Sequence, residues 1–171
     1  TDSGLFVYPD ELKLLDYDYS LDRTNPVYLG KAKRNIVLDH FLITQDIMQI
    51  SLDGDLRAFD INLKNADLTR LNYLLSRDTT IINSGRLNGT ISYSQDKQLN
   101  LNASIDSLSL YNSNPLSVTV TALRNENQVP FEFHLTNASN KIDLKGQYFL
   151  DKAEVDASLL VDVHNLELFA F

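Results

Sequence analysis

One seven-residue pattern recurs three times in this chain and commits it to β-sheet. Ile142-Asp143-Leu144-Lys145-Gly146-Gln147-Tyr148 alternates apolar and polar residues at the period of a strand with one buried face, and sets a glycine in an apolar slot. Ile50-Ser51-Leu52-Asp53-Gly54-Asp55-Leu56 repeats it position for position. Gly85-Arg86-Leu87-Asn88-Gly89-Thr90-Ile91 keeps all but the first apolar residue. A glycine inside a strand costs packing and entropy, so it marks a kink, a bulge or a close approach to the backbone. The reading with functional content is a sheet that bends around contents; the plainer alternative is a set of ordinary bulges in a sandwich.

The same period of two runs through most of the chain. Leu12, Leu14, then Leu15, Tyr17, Tyr19 and Leu21 in the other phase read as one half-buried strand. Val27 and Leu29, Ile36 and Leu38, and Phe41 and Ile43 lead into the first glycine strand. Phe59, Ile61 and Leu63 follow it. After the second glycine strand come Leu99, Leu101, Ala103 and Ile105, with a phase slip to Leu108 and Leu110 that predicts a bulge or corner. Val118, Val120 and Ala122, then Phe131, Phe133 and Leu135, precede the third glycine strand, and Val155, Ala157, Leu159, Val161 and Val163 succeed it. Leu68, Leu71, Leu74 and Leu75 alone carry helical spacing. With Asp67 as N-cap they predict one short helix.

At 171 residues, 43% hydrophobic and 22% charged, the chain suits one domain with a sizeable core. It has no cysteine, which removes disulfides, thiolate metal sites and cysteine nucleophiles. A formal charge of −8 disfavours nucleic acid, whose affinity rests on lysine and arginine clusters. The short basic cluster Lys31, Lys33 and Arg34 reads as a solvated turn. No apolar run reaches the roughly 18 to 20 residues that span a bilayer, and Thr1-Asp2-Ser3-Gly4 is no signal peptide. A longer repeat is also present: Ile61-x-Leu63-x-Asn65-x-x-Leu68 returns as Val161-x-Val163-x-Asn165-x-x-Leu168, so that 36–75 resembles 142–171. The second copy stops at Phe171 where its helix is due, and the expectation is a single segment, 1–171, of a longer repeat protein.

One short helix cannot cover so long an apolar face. Two facing sheets, a closed barrel, or a sheet folded lengthwise into a trough would each solve the problem. A sandwich is the commonest, but the recurring mid-strand glycines and the absence of tryptophan favour a strongly curved sheet. At this point the residues carry a likeness. The run Ile36 to Leu75 with its Asn65-x-Asp67-Leu68-x-x-Leu71 tail, followed by Ser84-Gly85-x-Leu87-x-Gly89-x-Ile91, resembles the TamB branch of the AsmA-like envelope proteins. Leu99 through Ile105-Asp106-Ser107-Leu108-Ser109-Leu110 to Gly146-x-Tyr148 and Leu166-Glu167-Leu168 resembles the next unit of such an array.

What the resemblance implies is an all-β fold, an elongated and mostly antiparallel sheet folded into a U-shaped β-taco with an apolar interior, with a β-sandwich as the alternative. It implies a periplasmic segment of a protein anchored in the inner membrane, carrying phospholipid between membranes or supporting outer-membrane protein assembly. A barrel partner would be met through regions outside this segment. Phase places Phe59, Ile61, Leu63, Leu87, Ile91, Leu99, Leu101, Ile105, Val118, Val120, Phe131, Phe133, Leu135, Ile142, Leu144, Val161 and Val163 on the groove lining, with phospholipid or other acyl chains as occupant.

Chemistry of other kinds finds no motif. His40, His134 and His164 are scattered, and Asp16, Asp18 and Asp22 lack the glycine and downstream acid of a calcium loop. No Gly-x-Ser-x-Gly, phosphate loop or His-Glu-x-x-His occurs, so the expectation is no enzyme, no metal and no cofactor. The competing function is a β-sandwich binding or adhesion module of a bacterial surface protein. Its usual exposed aromatic platform is missing, because there is no Trp and Tyr17, Tyr19, Tyr93 and Tyr148 fall in the inward phase.

Overall fold

The computed structural model describes residues 4–14, 17–30, 36–75, 79–96, 98–111 and 113–164. Strand makes up 71% of these, in one antiparallel sheet of 13 strands that does not close into a barrel. The strands are β1 (Gly4–Val7), β2 (Glu11–Leu14), β3 (Tyr17–Leu21), β4 (Val27–Gly30), β5 (Ile36–Gln45), β6 (Met48–Asp55), β7 (Phe59–Asp67), β8 (Ile82–Tyr93), β9 (Leu99–Leu110), β10 (Leu116–Leu123), β11 (Gln128–Thr136), β12 (Asn140–Phe149) and β13 (Glu154–Val163). From β5 to β13 each strand pairs with its sequence neighbours, which is a plain meander. The two separately hydrogen-bonded sheets of a sandwich do not form among the described residues.

The first part of the chain departs from its sequence reading. Leu12 to Leu21 is a hairpin of β2 and β3, in which Leu12 faces Tyr19 and Leu14 faces Tyr17. The change of phase between Leu14 and Tyr17 is therefore a reversal of the chain. Leu15 and Asp16, like the basic cluster at 31–35 and the repeat tail at 165–171, lie outside the described residues. β3 and β4 then share the edge of β5: Leu21 pairs with Ile43 towards one end and Val27 with Leu38 towards the other. Between them Asp22 accepts the N–H and hydroxyl of Thr24 at 2.8 and 2.6 Å and the Asn25 amide at 3.1 Å, a turn built on a short acidic side chain.

The predicted helix is present but tighter than expected. Asp67 caps it, accepting the N–H of Thr69 at 2.9 Å; Leu68–Leu71 form a 3-10 turn, and α1 (Asn72–Leu75) adds one α-helical turn. Asn72 ties this segment to β8. Its amide donates to the Ile82 carbonyl at 2.7 Å, and its oxygen accepts the N–H groups of Ile81 and Ile82 at 3.0 and 2.8 Å. Arg70 lies over the Tyr17 ring, 4.5 Å from its centroid, and reaches Asp46 at 3.3 Å. Leu68 is thereby pressed onto the sheet, whereas Leu71, Leu74 and Leu75 remain exposed.

Burial concentrates at this helical end. Phe41, Met48, Leu68, Ile82, Leu116 and Val118 are the buried apolar residues, and among the described residues no large side chain is wholly enclosed. The chain exposes 11715 Å². A compact monomer of 19.4 kDa exposes about 8,500 Å². The excess is what an open sheet with one uncovered face leaves in water.

Candidate functional site

The strand register sorts the side chains into two faces. Residues directly opposite in neighbouring strands point the same way, so one face can be followed across the sheet from pair to pair. Phe41 faces Leu52, Leu52 faces Ile61, Ile61 faces Ile91 and Ile91 faces Leu101. The path continues through Ala122 and Phe131 to Gly146 and Ala157. Alongside it run Leu63, Gly89, Ala103, Val120, Phe133, Leu144 and Leu159, and then Leu87, Ile105, Val118, Leu135, Ile142 and Val161. Phe59, Tyr93 and Leu99 begin the file at the other end of the strands, and Val163 ends β13. The register thus brings every residue of the predicted lining onto one face, together with Leu52, Ile43 and Leu38, which pattern reading had left out of the lining although they continue it.

Cover on that face is sparse. Val118 is buried; most of the others are half-buried, and Ile91 and Val161 are 36% and 52% exposed. Leu159, next to Leu144, is 64% exposed. The opposite face carries Asn62, Thr90, Asn102, Thr121, Glu132 and Lys145 in the same cross-strand fashion.

The glycines work differently in the different copies. Gly54 has φ +108°, and a Cβ there would lie 2.1 Å from the Ala58 carbonyl oxygen, because the chain turns back at once: Asp55 N–H reaches that same oxygen at 2.7 Å. Leu56, the last apolar slot of the first copy, consequently lies in the turn and is exposed. At Gly146 the backbone is extended, and the empty position is filled from across the strand, with Phe131 Cζ 2.6 Å from where a Cβ would be.

Bulges lie beside two of the copies. β5 carries one extra residue opposite Asp53, and β7 one opposite Asn88. The extra backbone adopts a left-handed conformation at His40 (φ 49°) and Asn65 (φ 54°). Its N–H is collected by the residue just before the glycine: His40 N–H donates to Asp53 Oδ1 at 2.6 Å, and Asn65 N–H to Asn88 Oδ1 at 2.8 Å. A third bulge, at Ser107 (φ 54°), accounts for the phase slip before Leu108. The third copy has Lys145 in the position of Asp53 and Asn88, and β11 beside it runs without a bulge.

Beside Gly54 the apolar face holds a hollow of about 190 Å³ lined by Ile36, Leu38, Leu52, Leu56, Phe59 and Ile61. Small-molecule pockets are typically about 300–1,000 Å³. The hollow admits part of an apolar chain. It offers no enclosed chamber for a whole ligand.

Two groups on the polar face were not legible as groups. His134 sits between Asp143 (Nδ1 to Oδ1, 2.7 Å) and Glu132 (Nε2 to Oε2, 3.1 Å), while Lys141 and Lys145 pair with those acids at 2.7 and 3.0 Å. The Asp143 hydrogen bond, then that of Glu132, raises the His134 pKa; His134 and Lys141 lower that of Asp143, and Lys145 and His134 lower that of Glu132. At the first bulge, Asp39, His40 and Asp53 gather with their ligand-type atoms within 4.8 Å of one another. The Asp39 hydrogen bond raises the His40 pKa, with the Asp53 charge next. Each histidine has one carboxylate close in sequence, Asp39 beside His40 and Glu132 two residues from His134; cross-strand pairing supplies the second, Asp53 and Asp143.

Compared with known protein families, curated proteins and solved structures, the chain matches none. No helix among the described residues is long and apolar enough to cross a membrane.

Proposed function

We propose that this chain is a groove-forming segment of a TamB-like, AsmA-like envelope protein. Its sheet folds lengthwise into a U-shaped β-taco whose apolar interior accommodates phospholipid acyl chains on their way between the inner and outer membranes, or supports outer-membrane protein assembly. It acts by non-directional burial, without catalysis, in the periplasm, as part of a protein anchored through regions outside this sequence. The observation that carries the reading is one apolar face, followed by register from Phe41 to Leu159, over which, among the described residues, only the Asp67–Leu75 segment lies, at one end. Removing about twenty such side chains from water at roughly 1.5 to 3 kcal/mol each is a driving force of tens of kcal/mol. An acyl chain meets it without needing any particular hydrogen-bond partner. The single sheet leaves the sandwich adhesion module without its second layer.

The test is photocrosslinking. A benzophenone amino acid at Leu101 or Leu144 on the apolar face is compared with the same group at Asn102 or Thr121 on the polar face, in vesicles of phosphatidylethanolamine and phosphatidylglycerol. Phospholipid adducts confined to the first pair are expected. Absence of adducts, or equal yields on both faces, would overturn the reading.

A further inference from the structure

His40 and His134 each meet two carboxylates, but the two groups are closed differently. At His134 both ring nitrogens are engaged, one by Asp143 and one by Glu132, and each acid also pairs with a lysine. At His40 a single nitrogen faces both acids: Nδ1 lies 2.8 Å from Asp39 Oδ1 and 3.1 Å from Asp53 Oδ1. Among the described residues no lysine or arginine pairs with Asp39 or Asp53. Asp53 also stands directly opposite Asp60 on β7, a like-charge pair that costs stability. The second bulge shows that the backbone needs none of this. There Lys64, Asn65 and Asn88 occupy the positions of Asp39, His40 and Asp53, and the Asn65 N–H is held by a neutral amide oxygen. The His40 group is moreover fixed in place, its N–H by Asp53 at 2.6 Å and its carbonyl by the Asn25 amide at 3.0 Å.

We propose that Asp39, His40 and Asp53 form a binding site for a divalent transition-metal ion of the zinc type. Two atoms that each lie about 2.0–2.2 Å from one ion are about 2.8–3.6 Å apart at the angles of an octahedral or tetrahedral shell. The separations of 2.8 and 3.1 Å from Nδ1 fall in that range, and all three ligand atoms lie within 4.8 Å of one another. An imidazole nitrogen disfavours calcium and magnesium, which take oxygen ligands, and suits zinc and its neighbours. Asp39 and His40 are exposed, so small side-chain movements close the shell and water completes it. The ion takes the place of the Nδ1 proton between the two carboxylates and offsets the charge of Asp39, Asp53 and Asp60. No spacing in the sequence announces the site, because β5 supplies two ligands and β6 the third.

The test is a calorimetric titration of the whole chain with zinc chloride. One ion per chain is expected, with saturation well below about 1 mM. His40→Asn and Asp53→Asn each give the first bulge a residue that the second already carries, at Asn65 and Asn88, so the fold is kept while a ligand is lost. Asp39→Asn, whose side chain bonds to His40 alone among the described residues, decides the matter should either of those variants lose structure. Each variant should bind zinc at least about tenfold more weakly with an unchanged circular dichroism spectrum. His134→Gln should bind it as the parent chain does. No binding up to about 1 mM zinc, full affinity in Asp39→Asn or in folded His40→Asn, or an equal loss in His134→Gln would each overturn the proposal. None of these outcomes bears on lipid crosslinking at Leu101 or Leu144, so the two readings fail separately.

Discussion

Asn88 holds the bulge of the neighbouring strand: its side-chain oxygen accepts the N–H of Asn65 at 2.8 Å. Asp53 does the same for His40 one pair of strands away. The bulged N–H has no place in the ladder, so without this acceptor it would be left unpaired or would need water. Asn88→Ala should therefore destabilise the protein by about 1–2 kcal/mol. Asn88→Asp keeps the acceptor but should recover only part of that, since the Asn88 amide lies 3.4 Å from Asp106 Oδ2 and the change opposes two carboxylates. Asn102→Ala, exposed on the same face, should change little. Urea unfolding followed by circular dichroism measures all three.

Gly54 and Gly146 should respond differently to alanine. At Gly54 the added methyl meets rigid backbone at a φ of +108°, so strain and overlap combine to about 3 kcal/mol or more. At Gly146 the nearest atom is the far end of the Phe131 ring, which can turn, but Ala157 Cβ and Asp156 O at 2.7 Å cannot. A loss of about 1–3 kcal/mol is expected there. Thermal unfolding should rank Gly54→Ala below Gly146→Ala, and Phe131→Leu should lessen the effect of the second.

The cluster around His134 makes stability depend on pH in a definite direction. His134 has a raised pKa because its protonated form is held by Asp143 and Glu132, so its contribution is full below the ordinary histidine value of about 6.5 and is lost as pH rises through the folded value. Asp143 and Glu132 have lowered values, so theirs is full above the ordinary carboxylate range of about 4 and is lost as pH falls. All three contributions coexist between about pH 4.5 and 6.5. In His134→Gln the decline above that window should flatten relative to the parent chain. The comparison isolates His134 from His40, which has a raised pKa of its own.

Charges on the apolar face should separate lipid retention from folding. Leu144→Asp or Ile91→Arg places an unpaired charge among the groove residues, where desolvation costs several kcal/mol when lipid covers it. Each 1.4 kcal/mol is about tenfold, so bound phospholipid measured by native mass spectrometry should fall at least about tenfold. The free protein should stay folded, because Ile91 is already 36% exposed and Leu144 half-buried. Leu144→Val should do little. The matching control on the polar face is Asn102→Asp. Lys145→Glu would not serve, since Lys145 is paired with Glu132 at 3.0 Å and the change would oppose two carboxylates.

The sequence by itself determined which residues alternate, and hence that the chain is a sheet with one apolar face. A period of two needs no long-range information, and Ile61, Leu101, Val120 and Leu144 fall into one phase before any strand is paired. It also located the capped segment at Asp67, because a cap is a local hydrogen bond. The tertiary structure decided what depends on which strand lies beside which. The shift of phase between Leu14 and Tyr17 became a hairpin, and His134, which has Glu132 two residues away on its own strand, acquired Asp143 from the next. The third glycine copy has no bulge beside it, and it carries Lys145, which cannot accept an N–H, where the others carry Asp53 and Asn88. The clue was present as the residue before each glycine, but an acceptor acquires meaning only when a donor is opposite it, and register alone puts one there.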